Sequence, residues 1–153
     1  MKAWRIYFAL ISVSILSHLY FTNQAMANTS TFEAALKTHV NAIAQRDWPA
    51  FASTLTSAKT LTFIQPSGKL STSTEDFKKQ MQAWFADKDW SWSLEPLSSE
   101  VTTNTGIAIY RVTYNDVDPQ GKPVVLKYVV TLVFAKEVAG WKLVHDQNTM
   151  LAK

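Results

Sequence analysis

Gly140 to Thr149 follows a turn and alternates apolar with polar residues before ending in Asp146, Gln147 and Asn148. The period of two predicts a half-buried strand, and a strand delivers alternate side chains to one surface. A carboxylate and two amides at the end of such a strand can reach the mouth of a pocket. There the carboxylate can transfer a proton or bind, and the amides can orient a ligand. Other chemistries lack their residues. The chain has no cysteine, which removes thiol nucleophiles, thiolate metal sites and disulfides. His39 and His145 stand far apart with no tight spacing to other ligands, so no metal site is expected. His39 lies beside the apolar stripe of a helix, as a surface or packing residue does. Gly68, Gly106, Gly121 and Gly140 each sit beside a turn and form no phosphate-binding loop or nucleophile elbow. No cofactor is expected.

The segments that must position these polar residues follow an export signal. Met1 to Arg5 is basic, Ile6 to Leu16 is an apolar run of 11 residues, and Ala25-Met26-Ala27 is an A-x-A site. Together they predict a secretory signal peptide over residues 1–27 and one domain over residues 28–153, exported to the periplasm or secreted. The run is short for a membrane span, so no membrane association is expected after cleavage. Cleavage would remove Lys2 and Arg5 and leave 13 basic against 12 acidic residues, with no basic cluster longer than Lys78-Lys79. That balance offers no footprint for nucleic acid.

Ser30 with Glu33 reads as a capping box before a helix whose apolar stripe is Phe32, Leu36, Val40 and Ile43. Asp47-Trp48-Pro49 starts a second, short helix through Leu55. Thr60 to Ile64 reads as a strand, followed by a Ser/Thr-rich approach from Leu70 to a third helix. Thr72 with Glu75, or Ser73 with Asp76, caps that helix; Phe77, Met81, Trp84 and Phe85 give its stripe, and it ends near Ala86. Strands then run from Trp90 to Leu97, through Glu100 to Thr103 into Gly106 to Asn115, from Pro123 to Lys136, and from Trp141 to Thr149. Helices first and a meander behind them predict an α+β domain, about three N-terminal helices against an antiparallel sheet.

The residues Arg46-Asp47-Trp48-Pro49-Ala50-Phe51, Leu61 to Gly68 and Gly140 to Thr149 resemble SnoaL-like domains of the nuclear transport factor 2-like superfamily, a resemblance spanning residues 30–149. It implies a cone, with a curved sheet wrapped around the helices and an internal pocket. It does not imply one activity, because the superfamily holds isomerases, cyclases, dehydratases, ligand carriers and oligomerisation modules. By that similarity Val144, Asp146 and Asn148 face the pocket, and Trp141, Leu143 and His145 lie on the outer face of the sheet, where related domains pair as dimers. Ile107, Ile109, Arg111 and Thr113 also face inward, and Phe63, Trp84 and Tyr128 join the pocket. Arg111 opposite Asp146 would either bind an anionic ligand or neutralise Asp146 as a buried pair. As an enzyme, the domain would use Asp146 as proton-transfer base and Tyr128 or Tyr114 as donor to a developing enolate. Trp90 and Trp92 share a strand face, as an aromatic wall for a ligand or as packing against the third helix.

Three functions fit: a noncatalytic, homodimeric binder of a small apolar or weakly anionic molecule; an isomerase, cyclase or dehydratase; and an assembly module whose pocket is filled by Trp84, Tyr128 and Phe63.

Overall fold

The computed structural model describes residues 31–152, so the expected export segment lies outside the described residues. Three helices come first: α1 (Phe32–Gln45), α2 (Trp48–Ser53) and α3 (Thr74–Ala86). The strands are β1 (Thr60–Ile64) and β2 (Leu70–Ser73), which precede α3, then β3 (Ser91–Val101), β4 (Thr105–Val117), β5 (Pro123–Glu137) and β6 (Gly140–Met150). They form a six-stranded sheet in the order β2-β1-β6-β5-β4-β3, antiparallel except where β1 runs parallel to β6.

Local chemistry sets the helix ends. Thr31, not Ser30, caps α1, its hydroxyl accepting the Ala34 N–H at 3.2 Å. Asp47 caps α2 through Ala50 N–H at 3.0 Å, and Ser73 caps α3 through Asp76 N–H at 3.1 Å. The C-terminus of α1 closes on Arg46 in the left-handed region, φ 54°. That turn aims the Arg46 guanidinium over the Trp90 ring, 4.0 Å from its centroid, while Nη2 donates to the Trp90 carbonyl at 2.5 Å. Arg46 therefore ties the end of α1 to the start of β3. The strand β2 was expected as a loop. Its four residues are polar and form a sheet edge paired with β1, so they carry no apolar alternation to read.

All three helices cover one face of the sheet. Phe32 of α1 meets Phe134 of β5 edge-on at 5.8 Å and Trp141 of β6 at 5.6 Å, and Phe77 of α3 meets Phe63 of β1 at 5.0 Å. On β5 the covered face carries Tyr128, Val130, Leu132 and Phe134, all buried. On β4 it carries Gly106, Ala108, Val112 and Tyr114, the partners of Phe134, Leu132, Tyr128 and Leu126. This reverses the face expected for β4: Ile107, Ile109, Arg111 and Thr113 lie on the opposite side. The reason is Phe32, whose ring rests directly on Gly106 and leaves no room there for a Cβ. The inner face of β4 must be small at that end, and the isoleucines take the other face.

The faces of β6 are divided by a bulge. Leu143 pairs with Phe134 and His145 with Val133, so Val144 has no partner on β5. Before the bulge Trp141 and Leu143 point into the core, at 7% and 0% exposure. After it Asp146 and Asn148, opposite Leu132 and Val130, point the same way. The expected outer-face trio is thus corrected: only His145 lies on the outer face, and Trp141 and Leu143 are core residues.

Candidate functional site

Between α3, β1 and the inner faces of β3 to β6 lies a cavity of about 480 Å³. Ile43, Phe51, Phe63, Met81, Trp84, Leu126, Val130 and Leu132 make most of its wall. Gln65, Gln80, Tyr114, Tyr128, Asp146 and Asn148 supply its polar groups, and no lysine, arginine or histidine lines it. Among the described residues no three His, Asp or Glu side chains gather to hold a metal, and no helix is long and apolar enough to cross a membrane.

Asp146 is the one carboxylate in the lining. Asn148 holds it: Nδ2 donates to Asp146 Oδ1 at 2.8 Å and to the Ile64 carbonyl at 3.1 Å, which ties β6 to its parallel neighbour. Burial pushes the Asp146 carboxyl up to about 7, against the opposing effect of the Asn148 hydrogen bond. The side chain keeps some accessible surface, which opens onto the cavity. Near neutral pH the group can therefore serve as proton donor or acceptor.

The tyrosines differ. Tyr114 accepts from Trp84 Nε1 at 3.2 Å and donates to Asp116 Oδ2 at 2.7 Å, so its proton is committed. Burial pushes the Tyr128 hydroxyl up to about 12; the neighbouring Trp92 indole pulls the other way, and the Asp146 charge adds to the rise. Trp92 Nε1 is buried with no hydrogen-bond partner among the described residues. Trp84 stacks on Trp90 at 4.2 Å and meets Trp92 edge-on at 6.5 Å. Trp90 is thus packing against α3, and Trp92 is cavity wall.

Of the residues expected at the pocket, Asp146, Asn148, Tyr128, Trp84 and Phe63 meet there. Ile109, Arg111 and Val144 do not. Arg111 lies on the outer face and pairs with Glu95, its cross-strand partner, with Nη1 at 2.9 and 2.8 Å from the two carboxylate oxygens. It cannot meet Asp146 from there. Ile109 shares that face, and Val144 is the bulge residue. Gln65 and Gln80, joined by a 2.5 Å hydrogen bond, were not foreseen; Gln65 sits in a turn before Pro66, where no periodicity marks a face. His39 is wholly buried in packing. Its Nδ1 meets Thr54 Oγ1 at 2.7 Å, and burial lowers its pKa to about 3. Because the Thr54 hydroxyl donates to the Phe51 carbonyl, the proton of the ring lies on Nδ1.

A family model described as a SnoaL-like domain matches residues 32–153. No curated protein matches the chain. Among solved structures, a candidate dehydratase of the NTF2-like family from Streptomyces avermitilis is similar at TM-score 0.66 and 16% identity, covering 79% of this chain and 94% of its own. A ketosteroid isomerase-like protein from Erwinia carotovora atroseptica is similar at TM-score 0.63 and 14% identity, covering 86% and 99%. A candidate calcium/calmodulin-dependent protein kinase type II association domain from Thiobacillus denitrificans is similar at TM-score 0.65 and 15% identity, covering 80% and 96%. At these identities the likeness is one of fold.

Proposed function

Since the chain belongs to the SnoaL-like domain family, we propose that its cavity is a binding site for a small, neutral, mostly apolar molecule, in an exported protein that acts as a homodimer. The observation that carries this reading is the cavity itself: about 480 Å³, walled by aliphatic and aromatic side chains, within the range of small-molecule sites. An anionic ligand is disfavoured, because no cation lines the wall and Arg111 is spent on Glu95. The open volume also speaks against an assembly module with a filled pocket, although association domains share the fold. The dimer contact is assigned to the outer sheet face, where Ile107, Val133 and His145 stand in one cross-strand row and Ile109 and Val129 lie farther along the same face. The basic start, apolar run and A-x-A site support export.

The test is native mass spectrometry of the chain from residue 28. A co-purified neutral small molecule in a dimer supports the reading. If no neutral apolar compound from a fragment panel perturbs the fluorescence of Trp84 and Trp92, the reading fails.

A second reading, proton transfer next to a carbonyl, is favoured by one observation: a carboxyl raised to about 7 in an apolar wall. It requires hydrogen–deuterium exchange beside the carbonyl of a bound ketone, detected by NMR in heavy water and lost in Asp146→Asn. Bound ketone without exchange leaves a noncatalytic binder.

A further inference from the structure

The orientation of two amides in the cavity wall follows from what their partners can accept. Asn148 Nδ2 donates to the Ile64 carbonyl at 3.1 Å and to Asp146 Oδ1 at 2.8 Å. A carbonyl only accepts, so the nitrogen of Asn148 must lie on that side, and both of its hydrogens are spent. Gln80 is fixed by the same logic. Its Nε2 donates to the Asp76 carbonyl at 3.3 Å, which turns its oxygen to Gln65 Nε2 at 2.5 Å. Gln65 directly follows Ile64, the residue that Asn148 holds, so the two amides flank one end of the β1–β6 pair in the cavity lining. What remains of them is Asn148 Oδ1 and Gln65 Oε1. Neither oxygen accepts a hydrogen bond among the described residues, and neither is closed off as the buried Trp92 Nε1 is.

The other polar groups are less selective. Tyr114 spends its proton on Asp116. The Tyr128 hydroxyl can give or take a hydrogen bond, and Gln65 keeps a second N–H that can answer an acceptor. Asn148 Oδ1 has no such freedom, because only an N–H or O–H satisfies it.

Resting on the binding function assigned above, we infer that the ligand carries an N–H or O–H donor at its polar end, received by Asn148 Oδ1 and, at the same end of the cavity, by Gln65 Oε1. A molecule that fills the cavity without such a group displaces water from these oxygens and offers nothing in its place, which lowers its affinity.

The probes are indole, 1-indanone and indene, bicyclic molecules of similar size of which the first carries a donor, the second an acceptor and the third neither. Titrated calorimetrically into the folded protein, indole should bind about tenfold more tightly than indene, as one buried hydrogen bond predicts. Asn148→Leu should bring the two to near parity, and Gln65→Met, which leaves the strands and Asp146 untouched, should cut the preference about threefold. The proton resonance of the N–H of bound nitrogen-15 indole should lie downfield in the unaltered protein and move upfield in each variant. An indole preference and N–H resonance unchanged in Gln65→Met and Asn148→Leu overturn the assignment to these two oxygens. Equal binding of indole and indene, or a preference for indanone over indole, overturns the inference and leaves the apolar binding site standing. Binding of none of the three overturns both.

Discussion

Asn148 and Asp146 stand two residues apart on one face of β6, and a single amide nitrogen, Asn148 Nδ2, reaches both the Asp146 carboxylate at 2.8 Å and the Ile64 carbonyl at 3.1 Å. The carboxyl is thereby fixed in direction while its burial opposes ionisation. Asn148 thus sets the direction of the carboxyl and, through the same hydrogen bond, partly offsets the rise that burial causes.

Asp146→Asn should stabilise the fold above pH 7. A carboxyl raised from 3.8 to about 7 favours the folded state while protonated, and that advantage is lost as pH rises through the folded value. The variant should gain on the order of 2 kcal/mol at pH 8, discounted for surface open to the cavity, and nothing at pH 3.5. Urea denaturation at the two pH values checks this; an equal effect at both would mean that Asp146 ionises in the folded state as it does in the unfolded chain.

Asn148→Leu should move the Asp146 carboxyl further up, because the hydrogen bond that favours the charged form is removed. Carbon-detected NMR titration of the carboxyl reads the midpoint directly. A midpoint at or below that of the unaltered protein would contradict the part given to Asn148.

His39 should oppose Asp146 in acid. Its folded value, lowered to about 3 from 6.5, gives stability that is present above pH 6.5 and is lost as pH falls through the folded value. In the unaltered protein this slope is masked between about pH 4 and 6.5 by the reverse slope of Asp146. Asp146→Asn should expose it, at up to about 1.4 kcal/mol per pH unit. A flat profile in the variant would show that His39 titrates freely.

Gly106→Ala should destabilise the fold by about 1–3 kcal/mol, since the added methyl would enter the Phe32 ring. Combined with Phe32→Leu, the glycine substitution should cost less than it does alone, a coupling that a double-mutant cycle measures in urea. Additive losses would show that Phe32 does not restrict position 106.

Val133→Glu should yield monomers by light scattering and leave fragment binding in the cavity, read by Trp84 and Trp92 fluorescence, intact, if the outer face is the dimer contact. Val133 stands beside His145 on that face, away from the cavity. A dimer that survives the substitution places the contact elsewhere.

The helices were legible because caps and periods of 3.6 are local: Asp47, Ser73 and the stripe ending in Phe85 are where the sequence puts them. The long strands were legible from turn residues such as Asp118 and Gly121. Which side of a strand faces inward is not local. On β4 both alternating sets hold apolar residues, and the choice was decided by Phe32, 74 residues from Gly106. Arg111 followed the wrong set. On β6 Asp146 and Asn148 reach the cavity only because the alternation breaks at Val144, so one rule could not place both them and Leu143. For Trp92 both readings, cavity wall or packing against α3, stood open, and the choice depends on β4 and β5, which bring Tyr114 and Tyr128 to the same cavity.

Val144 also works as a phase shifter between two halves of one strand. Deleting it would leave the ladder with β5 unbroken, but Trp141 with Leu143 and Asp146 with Asn148 could no longer share a side. The chain would have to sacrifice either its hydrophobic anchor or its only cavity carboxylate. An insertion or deletion of one residue here is therefore a sharper functional lesion than most substitutions, and the length of this strand carries information that its residue types do not.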